Sequence, residues 1–125
     1  MKDFYLCEVC GNIAEKINDT GIPIICCGKP MVKMEPQTTD STNEKHVPLI
    51  DVEGNKVTVT VGSTLHPMVA EHYITMIVLE TDQGTKRQFL SPGAEPKACF
   101  TIGDDEKVVG AFELCNIHGL WKSEK

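Results

Sequence analysis

Four of the six cysteines lie within the first 27 residues, and this clustering limits what the chain can fold into more than any other feature. They form two pairs, Cys7-x-x-Cys10 and the adjacent Cys26-Cys27, with fifteen residues between the pairs. A segment this short buries too little apolar surface to be stable alone, and a bound metal ion is a common substitute for a core. Four thiolates suit zinc or iron in a tetrahedral site, and the spacing favours neither metal.

The adjacent pair Cys26-Cys27 distinguishes this site from an ordinary zinc ribbon, which has two Cys-x-x-Cys loops. Because the side chains of neighbouring residues tend to diverge, we expect ligation by both cysteines to distort the tetrahedron. A disulfide between neighbours would be strained and is a poor alternative. Thiolate ligation in place of disulfides indicates a reducing compartment, so we expect a cytoplasmic protein.

The acidic balance of the chain argues against two classes of partner. The 125 residues include 12 lysines and arginines against 18 aspartates and glutamates, a formal net charge of −6. Nucleic acids and anionic membrane surfaces both attract basic proteins, so we expect neither as a partner. No stretch approaches the roughly 20 apolar residues of a membrane-spanning helix, and the opening residues lack the layout of a secretion signal. These features predict a soluble, unexported chain.

A change in composition divides the chain into two parts. Residues 1–36 are rich in cysteine and turn signals, whereas residues 37–45 lie in a polar run without apolar periodicity, which predicts a linker. From residue 46 onward, apolar and polar residues alternate in segments such as 56–61, a pattern typical of half-buried strands. We therefore predict a small metal-binding module at 1–36 and a β-rich domain at 46–125.

The β-rich part contains three predicted hairpins. The first joins residues 47–52 to 56–61, and the second joins 73–79 to 86–90. The third joins 98–102 to 108–114 across Gly103-Asp104-Asp105. Short strands at this spacing, with weak helix signals throughout, predict a mainly β fold with a sandwich or barrel of about seven strands.

All four histidines lie in the β-rich part, together with a cysteine near its end. A lone histidine is more often structural than ligating. Here the positions favour ligation, because each candidate lies at or beyond a strand end. Loops gather at the ends of a sandwich, so these five side chains can meet there. The set comprises His46, His66, His72, Cys115 and His118.

Four imidazoles and one thiolate suit a redox-active first-row metal ion. Five protein donors would leave the sixth position of an octahedral ion open for a substrate. Structural zinc normally closes its shell with four ligands, so five candidates count against it. The pattern therefore indicates a reactive metal centre.

At these residues the chain resembles desulfoferrodoxin, the two-iron form of superoxide reductase. The four cysteines of residues 7–27 are arranged as in the family's desulforedoxin-type module, which is rubredoxin-like. Four further segments of this chain resemble the active-site motifs of the family: residues 44–48, His66-Pro67, His72 and Cys115-Asn116-x-His118-Gly119. The resemblance covers nearly the whole chain and departs from the family pattern at no ligand position.

The resemblance implies two iron ions per chain. Cys7, Cys10, Cys26 and Cys27 would hold the first iron; His46, His66, His72 and His118 would surround the second, with Cys115 as its axial ligand. It also implies an immunoglobulin-like sandwich, a homodimer, and one-electron reduction of superoxide to hydrogen peroxide with electrons from a rubredoxin-like carrier. Two alternatives are a superoxide dismutase, and an electron-transfer or zinc-ribbon interaction module without oxygen chemistry.

Two further residues are candidates for catalytic roles. Lys45 precedes His46, and we expect its charge to attract superoxide locally against the net negative charge, because salt screens distant charges beyond about 8 Å. An ordinary solvated lysine is the alternative. Glu44 would, by the resemblance, occupy the open position of the oxidised iron after turnover. Cys99 is expected to be a small strand side chain without a role.

Overall fold

The structure is a computed structural model that describes residues 3–39, 46–62 and 66–125. Every regular element in these three ranges is a β-strand, which confirms the predicted fold class. The described part of the chain contains no helix long and apolar enough to span a lipid bilayer. The chain divides into two compact units, Met1–Glu35 and Pro36–Lys125.

The first unit is built from five very short strands. In its three-stranded sheet, β1 lies between β2 and β5, whereas β3 and β4 form a separate antiparallel ribbon. Few of its apolar side chains are buried, as expected for a unit this small. The strands are β1 (Phe4–Leu6), β2 (Ile13–Glu15), β3 (Ile25–Cys26), β4 (Lys29–Pro30) and β5 (Val32–Lys33).

The second unit contains seven strands in two sheets. They are β6 (Pro48–Glu53), β7 (Lys56–Val61), β8 (Ile74–Thr81), β9 (Gly84–Phe89), β10 (Lys97–Thr101), β11 (Val108–Cys115) and β12 (Gly119–Glu124). One sheet has the order β10-β7-β6 and the other β12-β11-β8-β9. The core lies between the sheets, where Val57, Val59 and Val61 of β7 pack with Ile77, Leu79 and other apolar residues of the opposite sheet.

The first two predicted hairpins are confirmed. β6 pairs with β7 from Pro48↔Val61 to Glu53↔Lys56, and β8 pairs with β9 as far as Thr81↔Gly84. In both hairpins a short turn connects two strands that are consecutive in the sequence. The alternation in β7 has the expected result, because its three valines are fully buried while Lys56, Thr58 and Thr60 are not.

The third predicted hairpin is wrong. β10 pairs with β7, whereas β11 lies between β8 and β12 in the other sheet. The connection between β10 and β11 therefore crosses from one sheet to the other. Ala98 and Phe100 face the core from the first sheet, and Ala111 faces it from the second. Alternation identifies the buried face of a strand but does not specify which strand lies beside it.

The second unit also includes part of the predicted linker. Gln37 forms a parallel bridge with Trp121, and its backbone bonds to Leu120 and Lys122 of β12. Residues 40–45 of that linker, which include Glu44 and Lys45, lie outside the described residues.

Candidate metal centres

In the first unit, the four cysteine sulfur atoms all lie within 4.8 Å of one another. Cys10 Sγ and Cys26 Sγ are 3.6 Å apart. A tetrahedral ion with metal–sulfur bonds of about 2.3 Å separates its sulfur ligands by about 3.8 Å. The spacing therefore fits a single tetrahedral metal ion held by Cys7, Cys10, Cys26 and Cys27.

An unusual backbone conformation lets two adjacent cysteines face the same point. Cys27 has a φ of 53°, which makes it the one non-glycine residue with positive φ among the described residues. This left-handed conformation costs an L-residue roughly 1–2 kcal/mol. It turns the Cys27 side chain to the side occupied by Cys26, which overcomes the tendency of neighbouring side chains to diverge.

The pKa values of the clustered cysteine thiols are those expected where a cation binds. Backbone hydrogen bonds, above all from the Cys10 N–H, lower the pKa of Cys7 to about 6. The neighbouring thiols, Cys10 first, raise the pKa of Cys27 to about 12. Because several adjacent thiolates would repel one another, the crowding opposes full deprotonation of the cluster when no cation is bound, and it keeps the Cys27 thiol protonated. A bound iron ion would displace the remaining protons and offset most of the negative charge of the four thiolates.

In the second unit, all five predicted donors come together. Their ligand atoms lie within 4.8 Å of one another: His46, His66, His72, Cys115 and His118. Each follows or precedes a strand end, with His46 just before β6, His66 after β7, His72 just before β8, Cys115 at the end of β11, and His118 in the turn to β12. The antiparallel order of these strands brings the five to one end of the sandwich.

The four imidazole rings form a square. Neighbouring rings in the cycle His46, His66, His72, His118 have centroids 4.6–4.9 Å apart and are nearly perpendicular, with interplanar angles of 67–83°. Across the square, the centroids of His46 and His72 are 6.4 Å apart. The rings thus surround one point as four equatorial ligands would.

The distances between donor atoms also fit one metal ion. His46 Nε2 lies 3.0 Å from His66 Nε2 and 3.2 Å from His118 Nδ1. Two nitrogen ligands at right angles on an ion with bonds of about 2.1 Å would be about 3.0 Å apart. Cys115 Sγ lies 3.6 Å from His66 Nε2 and 4.0 Å from His118 Nδ1, so the sulfur is placed as a fifth donor.

A backbone contact fixes the protonation of one ring. His66 Nδ1 lies 2.7 Å from the carbonyl oxygen of Pro67. Since a carbonyl oxygen only accepts, Nδ1 carries the proton and Nε2 presents its lone pair to the centre of the square. Metal-ligating histidines commonly have such a partner on the second ring nitrogen.

Trp121, which the sequence pattern did not predict, also contributes to this site. Its ring stacks on His46, with centroids 4.6 Å apart and an interplanar angle of 14°. Its indole Nε1 donates to the carbonyl of His118 at 3.1 Å, and Gln37 Nε2 donates to the same oxygen at 2.8 Å. The available signal was that Trp121, the one tryptophan of the chain, follows His118 by three residues.

Three residues considered from the sequence remain: Glu44, Lys45 and Cys99. Glu44 and Lys45 are outside the described residues, so the structure gives them no position. Cys99 belongs to neither donor set; it is exposed on β10, where its sulfur lies 3.8 Å from Thr58 Oγ1.

Comparison with known proteins identifies the family. The N-terminal domain model of desulfoferrodoxin matches residues 1–34, and the desulfoferrodoxin model matches residues 38–124. A desulfoferrodoxin homologue of Archaeoglobus fulgidus is 52% identical over 119 residues, which are 95% of this chain and 94% of that protein. Desulfoferrodoxin of Nitratidesulfovibrio vulgaris is 45% identical over 98% of this chain and 95% of its own length.

A solved structure agrees with these matches. The superoxide reductase of Treponema pallidum superposes with a TM-score of 0.86 at 30% identity, covering 99% of this chain and 98% of that one. The four-cysteine cluster lies in the first matched region and the histidine–cysteine cluster in the second, which is the two-iron arrangement of desulfoferrodoxin. The chain therefore belongs to the desulfoferrodoxin family.

Proposed function

We propose that this chain is a superoxide reductase, which combines superoxide with one electron and two protons to give hydrogen peroxide. One observation carries the proposal: four imidazoles and one thiolate converge within 4.8 Å at one end of the sandwich. This donor set supports a redox-active ion better than structural zinc, because it exceeds the four ligands that close a zinc shell. The similarity to the Treponema pallidum superoxide reductase supports the same reaction.

The two donor sets have separate roles in this proposal. We assign the first iron to Cys7, Cys10, Cys26 and Cys27, and the second to His46, His66, His72, His118 and Cys115. When bound, the second iron supplies the electron that reduces superoxide. We assign the two sites to a module at 1–36 and a catalytic domain at 46–125; of the polar residues 37–45 between them, Gln37 packs with the second unit.

The burial of the donors supports an approach from solvent. Cys115 is 2% exposed and belongs to the core, so its sulfur reaches the square of imidazoles from inside the sandwich. His118 is exposed, and His72 is half-buried. A small anion and water can therefore reach the outer side of the square, where water supplies the protons. The Cys115 thiolate would donate electron density to a bound iron, as thiolates do in haem enzymes.

We propose that Lys45 attracts superoxide and stabilises the peroxide product. It directly precedes the donor His46 in a chain of net charge −6, where a local cation is needed to attract an anion. We assign to Glu44, one residue earlier, a carboxylate that would bind the oxidised iron after turnover; this assignment rests on the family resemblance.

We further propose a rubredoxin-like protein as electron donor, a homodimer, and a cytoplasmic location. Cys10 and Cys27 are exposed, so one side of the first cluster is accessible to a small electron carrier. Sulfur ligands at an exposed site need a reducing compartment to stay free of disulfides. The homodimer rests on the family resemblance alone.

Product analysis tests the proposed reaction. The reduced protein is mixed with superoxide under a steady supply of reductant, and hydrogen peroxide and oxygen are both quantified. A reductase yields one peroxide per superoxide consumed and evolves no oxygen. A dismutase yields one peroxide and one oxygen from two superoxide ions, so oxygen evolution at that ratio would show the competing reaction.

A further inference from the structure

The side chain of Asn116 bridges the two residues on either side of His72. Its Oδ1 accepts a hydrogen bond from the Tyr73 backbone N–H at 2.9 Å. Its Nδ2 donates to the carbonyl of Glu71 at 3.0 Å. Its own backbone N–H donates to the Tyr73 carbonyl at 3.2 Å. One amide side chain thus binds the backbone immediately before and immediately after a predicted metal ligand.

The segment that carries His72 has little regular structure of its own. It precedes β8, which begins at Ile74, and reciprocal backbone hydrogen bonds between Val69 and His72 at 3.0 Å form a single isolated bridge. In such a segment the direction of the ring depends on backbone torsions that no extended ladder fixes. The bonds from Asn116 supply the missing constraint on both flanks of His72.

Asn116 itself belongs to a better-anchored part of the fold. It follows Cys115, the last residue of β11, and precedes His118 in the turn that β12 closes through the Cys115↔Gly119 pair. The amide therefore joins two parts of the site that are more than forty residues apart in sequence.

We propose that Asn116 is a positioning residue that couples His72 to the turn carrying Cys115 and His118, so that three of the five donors are held as one rigid group. This inference rests on the proposed binding of iron at the histidine–cysteine set. Partners that orient a metal ligand without touching the ion typically change metal affinity or activity by about 10–100-fold when removed. We expect an effect of that size on iron retention.

Asn55 offers a matched control. Its Nδ2 donates to the Ile102 carbonyl at 2.9 Å and to Asp104 Oδ1 at 2.8 Å, so it also makes two side-chain bonds that join distant segments. It lies in the turn after β6, at the opposite end of that six-residue strand from His46. The length of the strand places it roughly 20 Å from the site.

The experiment uses the iron-loaded full chain and the variants Asn116→Ala, Asn116→Asp and Asn55→Ala. The release of each iron from the reduced protein to a ferrous chelator is followed spectroscopically, with the four-cysteine centre as internal reference. We expect Asn116→Ala to release the second iron about 10–100-fold faster and the first iron at the unchanged rate. Asn55→Ala should leave both rates unchanged.

Hydrogen exchange of the Tyr73 amide provides a readout that does not depend on activity. Asn116→Ala removes the acceptor and should expose this amide to exchange, whereas Asn116→Asp keeps an acceptor oxygen and should preserve its protection. Equal acceleration of iron release in Asn116→Ala and Asn55→Ala, or no acceleration in Asn116→Ala, would overturn the inference. A wild-type protein that takes up no second iron would instead overturn the proposed function, and this inference with it.

Discussion

At the residue scale, the proposed catalytic centre depends on side chains of two kinds. The donors carry chemistry that is visible in their residue type, so all five, from His46 to His118, could be selected from the sequence. The supporting groups, Trp121, Gln37 and Asn116, act mainly through backbone carbonyls and amides. Such contacts have no residue-type signature, so the sequence placed Asn116 in a motif without indicating its role and did not indicate Trp121 or Gln37 as supporting groups.

The contribution of the Cys115 thiolate to the second centre can be tested without disturbing the four-cysteine cluster. Cys115→Ser replaces a soft, charged sulfur donor with a hydroxyl, which should remove the sulfur-to-iron absorption of the second centre and lower activity by on the order of 10²-fold or more. The absorption of the four-cysteine centre should persist. Cys99→Ser is the matched control, because Cys99 lies outside both donor sets, and its spectrum and activity should equal those of the wild type.

The charge of Lys45 should affect the rate of encounter with superoxide. Lys45→Ala removes the cation next to His46, so we expect association to slow by about tenfold at low salt and to lose part of its salt dependence. Lys56→Ala makes the same charge change at the start of β7, at the far end of the sheet from His46, and should alter neither quantity. Identical rates and salt slopes in the two variants would contradict the role of Lys45.

At the scale of strands and turns, local pairing was predictable and distant pairing was not. The hairpins β6–β7 and β8–β9 were identifiable because alternation and turn residues lie side by side in the sequence. β10 pairs instead with β7, more than thirty residues earlier, and no local signal specifies that partner. β12 (Gly119–Glu124) lies beyond the three predicted hairpins, so no hairpin pattern identified it individually.

Close packing of β11 against β12 should make Gly110 intolerant of a side chain. A Cβ at this position would lie 2.6 Å from the backbone oxygen of Ser123, which cannot move without disturbing the sheet. Gly110→Ala should therefore lower the free energy of unfolding by about 1–3 kcal/mol. Gly103→Ala is the control, since its nearest neighbour would lie at an ordinary 3.8 Å; its denaturation midpoint should stay close to that of the wild type.

The turn between β10 and β11 should contribute to acid sensitivity. The pKa of Glu106 is lowered by the hydrogen bond from the Thr81 hydroxyl, and next by the Gly103 N–H. A carboxyl whose pKa falls on folding stabilises the native state above its unfolded pKa, and this stabilisation is lost as pH falls through the folded pKa.

Thermal unfolding at several pH values tests this turn. Glu106→Gln should lower the melting temperature at pH 7, and its difference from the wild type should shrink once the pH falls below the ordinary glutamate value of 4.5. Glu53→Gln, at the exposed end of β6, is the control for loss of one negative charge. A deficit of the Glu106 variant that stays constant down to acidic pH would contradict the linkage.

At the scale of the whole molecule, two compact units each contain one candidate metal-binding set. The first unit has few buried apolar side chains, so we expect metal binding at its cysteine cluster to stabilise it, whereas the second has a continuous core between two sheets. The sequence indicated both sets but not the metal at the four-cysteine site, because zinc and iron accept the same four thiolates. That choice requires a measurement of the metal itself.

The most direct test of the account is metal quantification together with visible absorption spectra of the oxidised and reduced protein. We predict two irons per chain and two sets of sulfur-to-iron bands that change on reduction, one of which disappears in Cys115→Ser. A protein with a single metal ion per chain, and no spectral change on substitution of Cys115, would contradict the account. It would identify the histidines as structural and the chain as an electron carrier or zinc-ribbon module.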